Sequence, residues 1–78
     1  MKNKLYRTSD LALAAALVEH GYLPTSLVRN NTKRVQFEFV EDAKFSLIVS
    51  NYWSDTLTVS PKSYFDAIKH LKSRIYAG

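Results

Sequence analysis

Apolar and polar side chains alternate in the middle of the chain, which is the pattern of a strand with one buried face. The apolar residues Val35, Phe37 and Phe39 fall on one face, and the polar residues Gln36 and Glu38 fall on the other. A second extended segment covers 25–29, and the two are joined through Asn30-Asn31. Asn tolerates the positive φ angles of a tight hairpin turn. The pattern therefore predicts a β-hairpin closed by a two-residue turn.

The turn decides which side chains of the two strands share a face. A two-residue turn places Val28 on the inner, apolar face and Arg29 and Arg34 on the outer, polar face. Lys33 then lies on the inner side near the tip, where its long stem can extend to water. Arg29, Lys33 and Arg34 are consequently candidate contacts to nucleic acid.

A helix is predicted before the hairpin, over residues 9–20. Apolar residues recur there at helical spacing: Leu11, Ala14, Ala15 and Val18, with Leu17 beside them. Thr8 or Ser9 is the expected N-cap, because a side-chain oxygen accepts a free N–H of the first turn. Gly21 follows at the position where a left-handed residue commonly ends a helix.

Residues 44–53, KFSLIVSNYW, combine strand-like composition with helical spacing. Five residues form a full helical stripe: Phe45, Ile48, Val49, Tyr52 and Trp53. Leu47 lies off that stripe. The spacing and the acidic residues Glu41 and Asp42 before the segment favour a helix.

The remaining segments complete the predicted fold. Residues 56–59, TLTV, are expected to form a third strand, and Ser60 with Pro61 begins the last helix. The buried stripe of that helix is Tyr64, Ile68, Leu71 and Ile75. The predicted fold is a small α+β domain of order α-β-β-α-β-α, with a three-stranded sheet and its helices on one face.

Composition limits the class of protein. The chain has 78 residues, enough for a single domain, 1–78, with an ordered core over about 6–76. It has no Cys, so disulfides and Cys-based zinc sites are excluded. The apolar run 11–18 is too short to span a bilayer, and no membrane partner is expected. A cytoplasmic location is expected.

Residues that would carry out chemistry are sparse. His20 and His70 have no second ligand at metal spacing, and Gly occurs only at 21 and 78, so no glycine-rich phosphate loop is present. No G-x-S-x-G nucleophile motif occurs. We therefore expect a protein that is not an enzyme, with no cofactor, no metal and no small-molecule substrate.

The net charge of +4 and the pI near 9.5 modestly favour an acidic partner. Three basic clusters stand out: Arg29, Lys33 and Arg34 in the hairpin, Lys2, Lys4 and Arg7 at the start, and Lys69, Lys72 and Arg74 in the last helix. They would form a phosphate-binding patch if they shared a face, and the sequence does not decide whether they do.

Three stretches together resemble a small family of uncharacterised bacterial and phage proteins, which is known only as a domain of unknown function. They are 6–22, with its T-S-D-L helix start, 29–42, with V-x-F-x-F, and 59–76, with F-x-A-I-K-x-L-K. The resemblance implies no activity and no functional residues. It implies a bacterial or phage setting in the cytoplasm.

Two interpretations of function follow. The first is a non-enzymatic accessory domain that binds another protein or a second copy of itself. Its candidate contacts are Leu47, Tyr52 and Trp53, since one small core is not expected to bury all of this apolar segment. The second is a nucleic-acid-binding protein that uses the basic hairpin and the basic termini.

Overall fold

A computed structural model of the chain describes residues 4–29 and 35–77. Within those residues the elements are β1 (Lys4–Thr8), α1 (Leu11–Glu19), β2 (Ser26–Arg29), β3 (Val35–Glu41), α2 (Ala43–Trp53) and α3 (Pro61–Ala77). The three strands form one antiparallel sheet in the order β1-β3-β2, with β3 in the centre. The predicted class, an α+β domain with three helices packed against a three-stranded sheet, is confirmed.

The position of the third strand in the chain differs from the prediction. It is β1, before α1, and the chain order is β-α-β-β-α-α. Residues 56–59 form no helix or strand and pair with no strand among the described residues. Part of their backbone is bound to the end of α2 instead. The N–H groups of Thr56 and Leu57 both donate to the Asn51 carbonyl in the last turns of that helix.

The register of the hairpin also differs from the prediction. Arg29 pairs with Val35, whereas a turn at Asn30-Asn31 would pair it with Thr32. The observed register is shifted by three positions from the predicted one. Because side chains alternate between the two faces of a strand, a shift by an odd number moves every side chain of β2 to the opposite face of the sheet. Leu27 and Arg29 therefore lie on the inner side, and Val28 lies on the outer side. The expected turn itself lies outside the described residues, as do Lys33 and Arg34.

The core lies between the inner face of the sheet and the three helices. Its fully buried large side chains come from every layer: Leu13, Leu17, Phe37, Phe39, Phe45 and Leu71. Residues 13–17 of α1 are all buried, a wider surface than the predicted stripe, because sheet, α2 and α3 all contact α1. This central helix holds the other elements in position.

Helix ends follow local side-chain chemistry. Asp10, rather than the expected Thr8 or Ser9, caps α1 by accepting from the Ala12 and Leu13 N–H groups. Asp42 caps α2 in the same manner, through the Phe45 N–H at 2.8 Å. The predicted helix 44–53 is confirmed, with Phe45 and Ile48 buried.

Candidate functional sites

Arg29 connects the hairpin to the last helix. Its Nη2 donates a hydrogen bond to the carbonyl oxygen of Ile75, in the last turn of α3. The last carbonyls of a helix have no partner within the helix, and a cation there also interacts favourably with the helix dipole. Arg29 thus stabilises the end of α3 while its side chain remains exposed.

The Arg29–Ile75 contact places Arg29, one member of the hairpin cluster, at the end of α3, which carries the basic cluster of the last helix. Neither contributing segment, 21–37 or 67–78, contains an Asp or Glu. We call the group formed by Arg29, Lys69, Lys72 and Arg74 the basic end. Lys33 and Arg34 belong to the connection between β2 and β3, outside the described residues. Among the described residues, the basic end therefore combines one cation of β2 with three cations from the C-terminal half of α3.

An exposed stripe on α3 continues from the basic end. Phe65, Lys69, Lys72 and Tyr76 follow i, i+4, i+7, i+11 spacing, so they lie within an arc of about 60° on the helix. Phe65 is 57% exposed and Tyr76 83% exposed. The Lys69 Nζ lies 4.8 Å from the centroid of the Phe65 ring, a cation–π contact. This α3 stripe places two lysines between two exposed aromatic rings.

The third basic cluster lies elsewhere. Lys4 lies opposite Glu41 in the register of β1 and β3, at the end of β3 that is farther from the hairpin connection. Arg7 forms an ion pair with Glu38 on the outer face of the sheet, with Nε and Oε2 2.9 Å apart. The hydrogen bond from Arg7 lowers the pKa of Glu38 below its ordinary value, aided by Ser26. Lys2 is outside the described residues.

A separate cavity of about 370 Å³ opens between α1, α3 and the segment that follows α2. We call it the aromatic pocket. Its lining residues are Ala16, Tyr52, Trp53, Asp55, Leu57, Val59 and Tyr64. Tyr52 and Trp53, two of the predicted protein contacts, therefore meet at this cavity, with their rings 5.0 Å apart in an edge-to-face arrangement.

The two tyrosine hydroxyls of the pocket have partners in the fold. The Tyr64 hydroxyl donates to the Ala12 carbonyl at 3.0 Å, and the Tyr52 hydroxyl donates to Asp10 Oδ2 at 3.4 Å. Burial, and then the negative charge of Asp10, raises the pKa of both tyrosines. Both phenols are thus neutral hydrogen-bond donors at neutral pH.

Leu47 does not join Tyr52 and Trp53. It is 63% exposed, and Trp53 is 64% exposed, but the two lie six positions apart on α2. At 100° per residue this places them about 120° apart around the helix. The three predicted protein contacts therefore divide between the pocket and a separate helix face.

Metal-binding groups of three or more His, Asp or Glu residues are not found in 4–29 and 35–77. His20 Nε2 lies 3.1 Å from the Thr58 carbonyl, where it helps to hold the segment between α2 and α3. In the part of the chain that the structure describes, no helix has the length and apolar character to cross a membrane.

Sequence reasoning missed Asp10, Asp55 and Tyr64 as neighbours of Tyr52 and Trp53. These residues are brought together by contacts between elements distant in the chain, and no spacing along the sequence indicates them. The one local signal was Ser54-Asp55, which marks the end of α2 and hence a position where the backbone turns.

A family model describing a domain of unknown function, DUF5659, matches residues 3–77. The chain belongs to the DUF5659 family. The resemblance inferred from the three sequence stretches is thereby confirmed at the level of the family. Comparison with curated proteins and with solved structures gave no significant match. The function of this DUF5659 domain is therefore inferred from its own residues.

Proposed function

We propose that this protein binds nucleic acid through the basic end and the α3 stripe. The observation that carries the proposal is the Arg29–Ile75 hydrogen bond, which places Arg29 of β2 at the last turn of α3, beside Arg74. Lysines and arginines grouped at one end of a molecule are the electrostatic footprint of phosphate binding, and the nearest carboxylate of α3, Asp66, lies one turn before Lys69. This contact supports nucleic-acid binding ahead of the protein-binding interpretation.

The aromatic residues of the α3 stripe indicate the form of nucleic acid. Lys69 and Lys72 are suited to phosphate contacts, which position a ligand without reading its sequence. Phe65 and Tyr76 are suited to stacking on unpaired bases, which are available in single strands but not in a duplex. We therefore expect binding to single-stranded DNA or RNA, with weaker binding to a duplex and little sequence preference.

Fluorescence anisotropy with labelled single strands and duplexes, repeated over a range of salt concentrations, tests the proposal. The informative variant is Lys69→Gln with Lys72→Gln. Its matched control is Lys4→Gln with Lys44→Gln, which removes the same charge from other parts of the surface. The first pair should weaken binding and lower the salt slope by about 1.4 units, near 0.7 per lost single-strand phosphate contact. The control should change the salt slope little.

Two outcomes would contradict the proposal. One is the absence of any anisotropy change with single strands at low ionic strength. The other is an equal loss in the two double variants, which would show that net charge alone governs binding. Arg29 is unsuitable for this test, because its replacement also removes a contact to α3. Lys33→Gln with Arg34→Gln tests the hairpin connection separately.

A protein contact at Leu47, Tyr52 and Trp53 is the second candidate. The observation in its favour is that Tyr52 and Trp53 line a cavity while Trp53 remains largely exposed. The homodimer form of this proposal is tested by sedimentation equilibrium at increasing protein concentration. A mass that stays at one chain, 8.9 kDa, at all concentrations would exclude self-association.

We further propose a non-enzymatic accessory role in the cytoplasm of a bacterial cell or a phage-infected host. The resemblance of the three sequence stretches to bacterial and phage proteins supports this setting. The absence of Cys is consistent with a reducing compartment. Immunodetection of the protein in fractionated native cells tests the location.

A further inference from the structure

The aromatic pocket has an electrostatic character opposite to that of the basic end. Among the described residues that line it, Asp55 is the single charged side chain, and none is Lys, Arg or His. A second carboxylate, Asp10, is adjacent, because it accepts the hydrogen bond of the Tyr52 hydroxyl. The cavity therefore favours a positively charged group and disfavours an anion such as a phosphate.

Three aromatic residues contribute to the wall of the cavity: Tyr52, Trp53 and Tyr64. Aromatic rings attract cations through their quadrupole, and Trp and Tyr do so most strongly. Because both tyrosine hydroxyls are held by Asp10 and Ala12, their rings are fixed in position before a ligand enters. Such preorganisation lowers the ordering cost of binding.

Asp55 occupies a left-handed backbone position, which Asp tolerates better than most residues other than Gly. It has φ +60°, in the left-handed region, at the point where α2 ends. Gly is the residue that this conformation favours, and a side chain there costs conformational free energy. Strained positions that persist are found disproportionately at binding and catalytic sites. Here the strained residue places a carboxylate at the edge of an aromatic cavity.

We infer that the aromatic pocket binds an organic cation, the ammonium or guanidinium group of a basic side chain or of a free amine. Aromatic walls and a carboxylate supply the two interactions that such a group requires, and the cavity volume of about 370 Å³ is sufficient for it. The inference is independent of nucleic-acid binding at the basic end, because the two sites share no residue.

The fluorescence of Trp53 provides a direct test, because it is the only tryptophan in the chain. The probes are choline, N-acetyl-lysine amide, N-acetyl-arginine amide and a short glycine peptide with a central lysine. Dimethylbutanol, the neutral carbon analogue of choline, is the control ligand. We expect a saturable change with at least one cationic probe and none with dimethylbutanol at the same concentration.

Asp55→Asn is the informative variant, since Asn removes the charge but tolerates the left-handed conformation. Asp66→Asn is the matched control, because Asp66 is an exposed carboxylate on α3 outside the pocket. Asp55→Asn should weaken binding of the cationic probes by about fivefold or more, as expected for the loss of the charge partner of a bound cation. Asp66→Asn should leave binding unchanged.

The probes also distinguish the source of the cation. Tighter binding of the lysine peptide than of choline assigns the pocket to a basic side chain of a protein partner, and the reverse order assigns it to a free amine. Saturable binding of dimethylbutanol as tight as that of choline would overturn the inference. So would equal affinities in Asp55→Asn and Asp66→Asn, or no saturable change with any cationic probe.

Discussion

Gly21 and Asp55 occupy the same position in two matched helix ends. After α1, the N–H of Gly21 donates to the Val18 carbonyl and that of Tyr22 to the Leu17 carbonyl, both at 2.9 Å. After α2, the Asp55 N–H donates to Tyr52 and the Thr56 N–H to Asn51, at 3.1 and 2.9 Å. Both are Schellman motifs with a left-handed residue, yet one uses Gly and the other Asp.

Asp55→Gly is predicted to stabilise the fold. Gly relieves the strain of the left-handed conformation but adds freedom to the unfolded chain, so we expect a gain in the free energy of unfolding of up to about 1 kcal/mol. Urea unfolding followed by circular dichroism measures it. A loss of stability would show that the Asp55 side chain supports the fold and would remove the strain argument for the pocket.

Gly21→Ala provides the complementary measurement. Among the described residues beyond Gly21 and its two chain neighbours, no atom lies within 4 Å of the site where its Cβ would be added, so the cost is conformational rather than steric. With φ +100° at this position, the substitution should lower the free energy of unfolding by about 1–2 kcal/mol. An unchanged stability in the same urea experiment would contradict the predicted importance of the left-handed position.

Arg29→Ala is predicted to loosen the end of α3. Removing the hydrogen bond to the Ile75 carbonyl should lower the free energy of unfolding by about 0.5–1.5 kcal/mol. Amide hydrogen exchange should become faster in the last two turns of α3 and remain unchanged in α1. Arg74→Ala, which removes the same charge from the last turn of α3, is the control and should have a smaller effect. Equal exchange profiles would contradict the structural role of Arg29.

Stability is predicted to fall as the pH drops below about 4. The pKa of Asp42 is lowered by the Phe45 N–H and then by the Tyr22 hydroxyl, and the pKa of Glu38 is lowered mainly by Arg7. A lowered folded-state pKa contributes stability that is present above the ordinary values of 3.8 and 4.5. That stability is lost as the pH falls through the lowered values.

The double variant Asp42→Asn with Glu38→Gln separates this effect from general acid unfolding. Asn retains the ability to cap α2 but does not titrate. Thermal unfolding between pH 2 and 7 should show a shallower acid decline of Tm in the variant than in the native chain. Parallel Tm curves would contradict the assignment of acid sensitivity to these two carboxylates.

Two phenylalanines test which surfaces the fold buries. Phe45 is 1% exposed and contacts Tyr6, Tyr22 and Phe39, whereas Phe65 lies on the exposed α3 stripe. Phe45→Ala should cost about 3–5 kcal/mol of unfolding free energy, and Phe65→Ala less than about 1 kcal/mol. Similar losses in the two variants would mean that α3 presents a different face to the core.

The sequence alone determined the features that depend on neighbouring residues. The helical stripe of 44–53 overrode its strand-like composition, Pro61 began α3, and Gly21 ended α1, because spacing, φ restriction and left-handed caps are local properties. The alternation of 35–39 likewise identified a strand with one buried face. The apolar segment 44–53 also indicated Tyr52 and Trp53 as candidate protein contacts, but it did not indicate the cavity that these two residues line.

Only the tertiary structure decided the features that depend on partners distant in the chain. Residues 4–8, and not 56–59, form the third strand. They pair with the edge of β3 that β2 leaves open, whereas the backbone N–H groups of 56–57 are bound to the end of α2. The register that turned Arg29 toward Ile75 placed one cation of the hairpin at the basic end of α3. Long-range pairing selects among locally similar alternatives by the total surface buried and hydrogen bonds satisfied, and neither quantity is visible in any single segment.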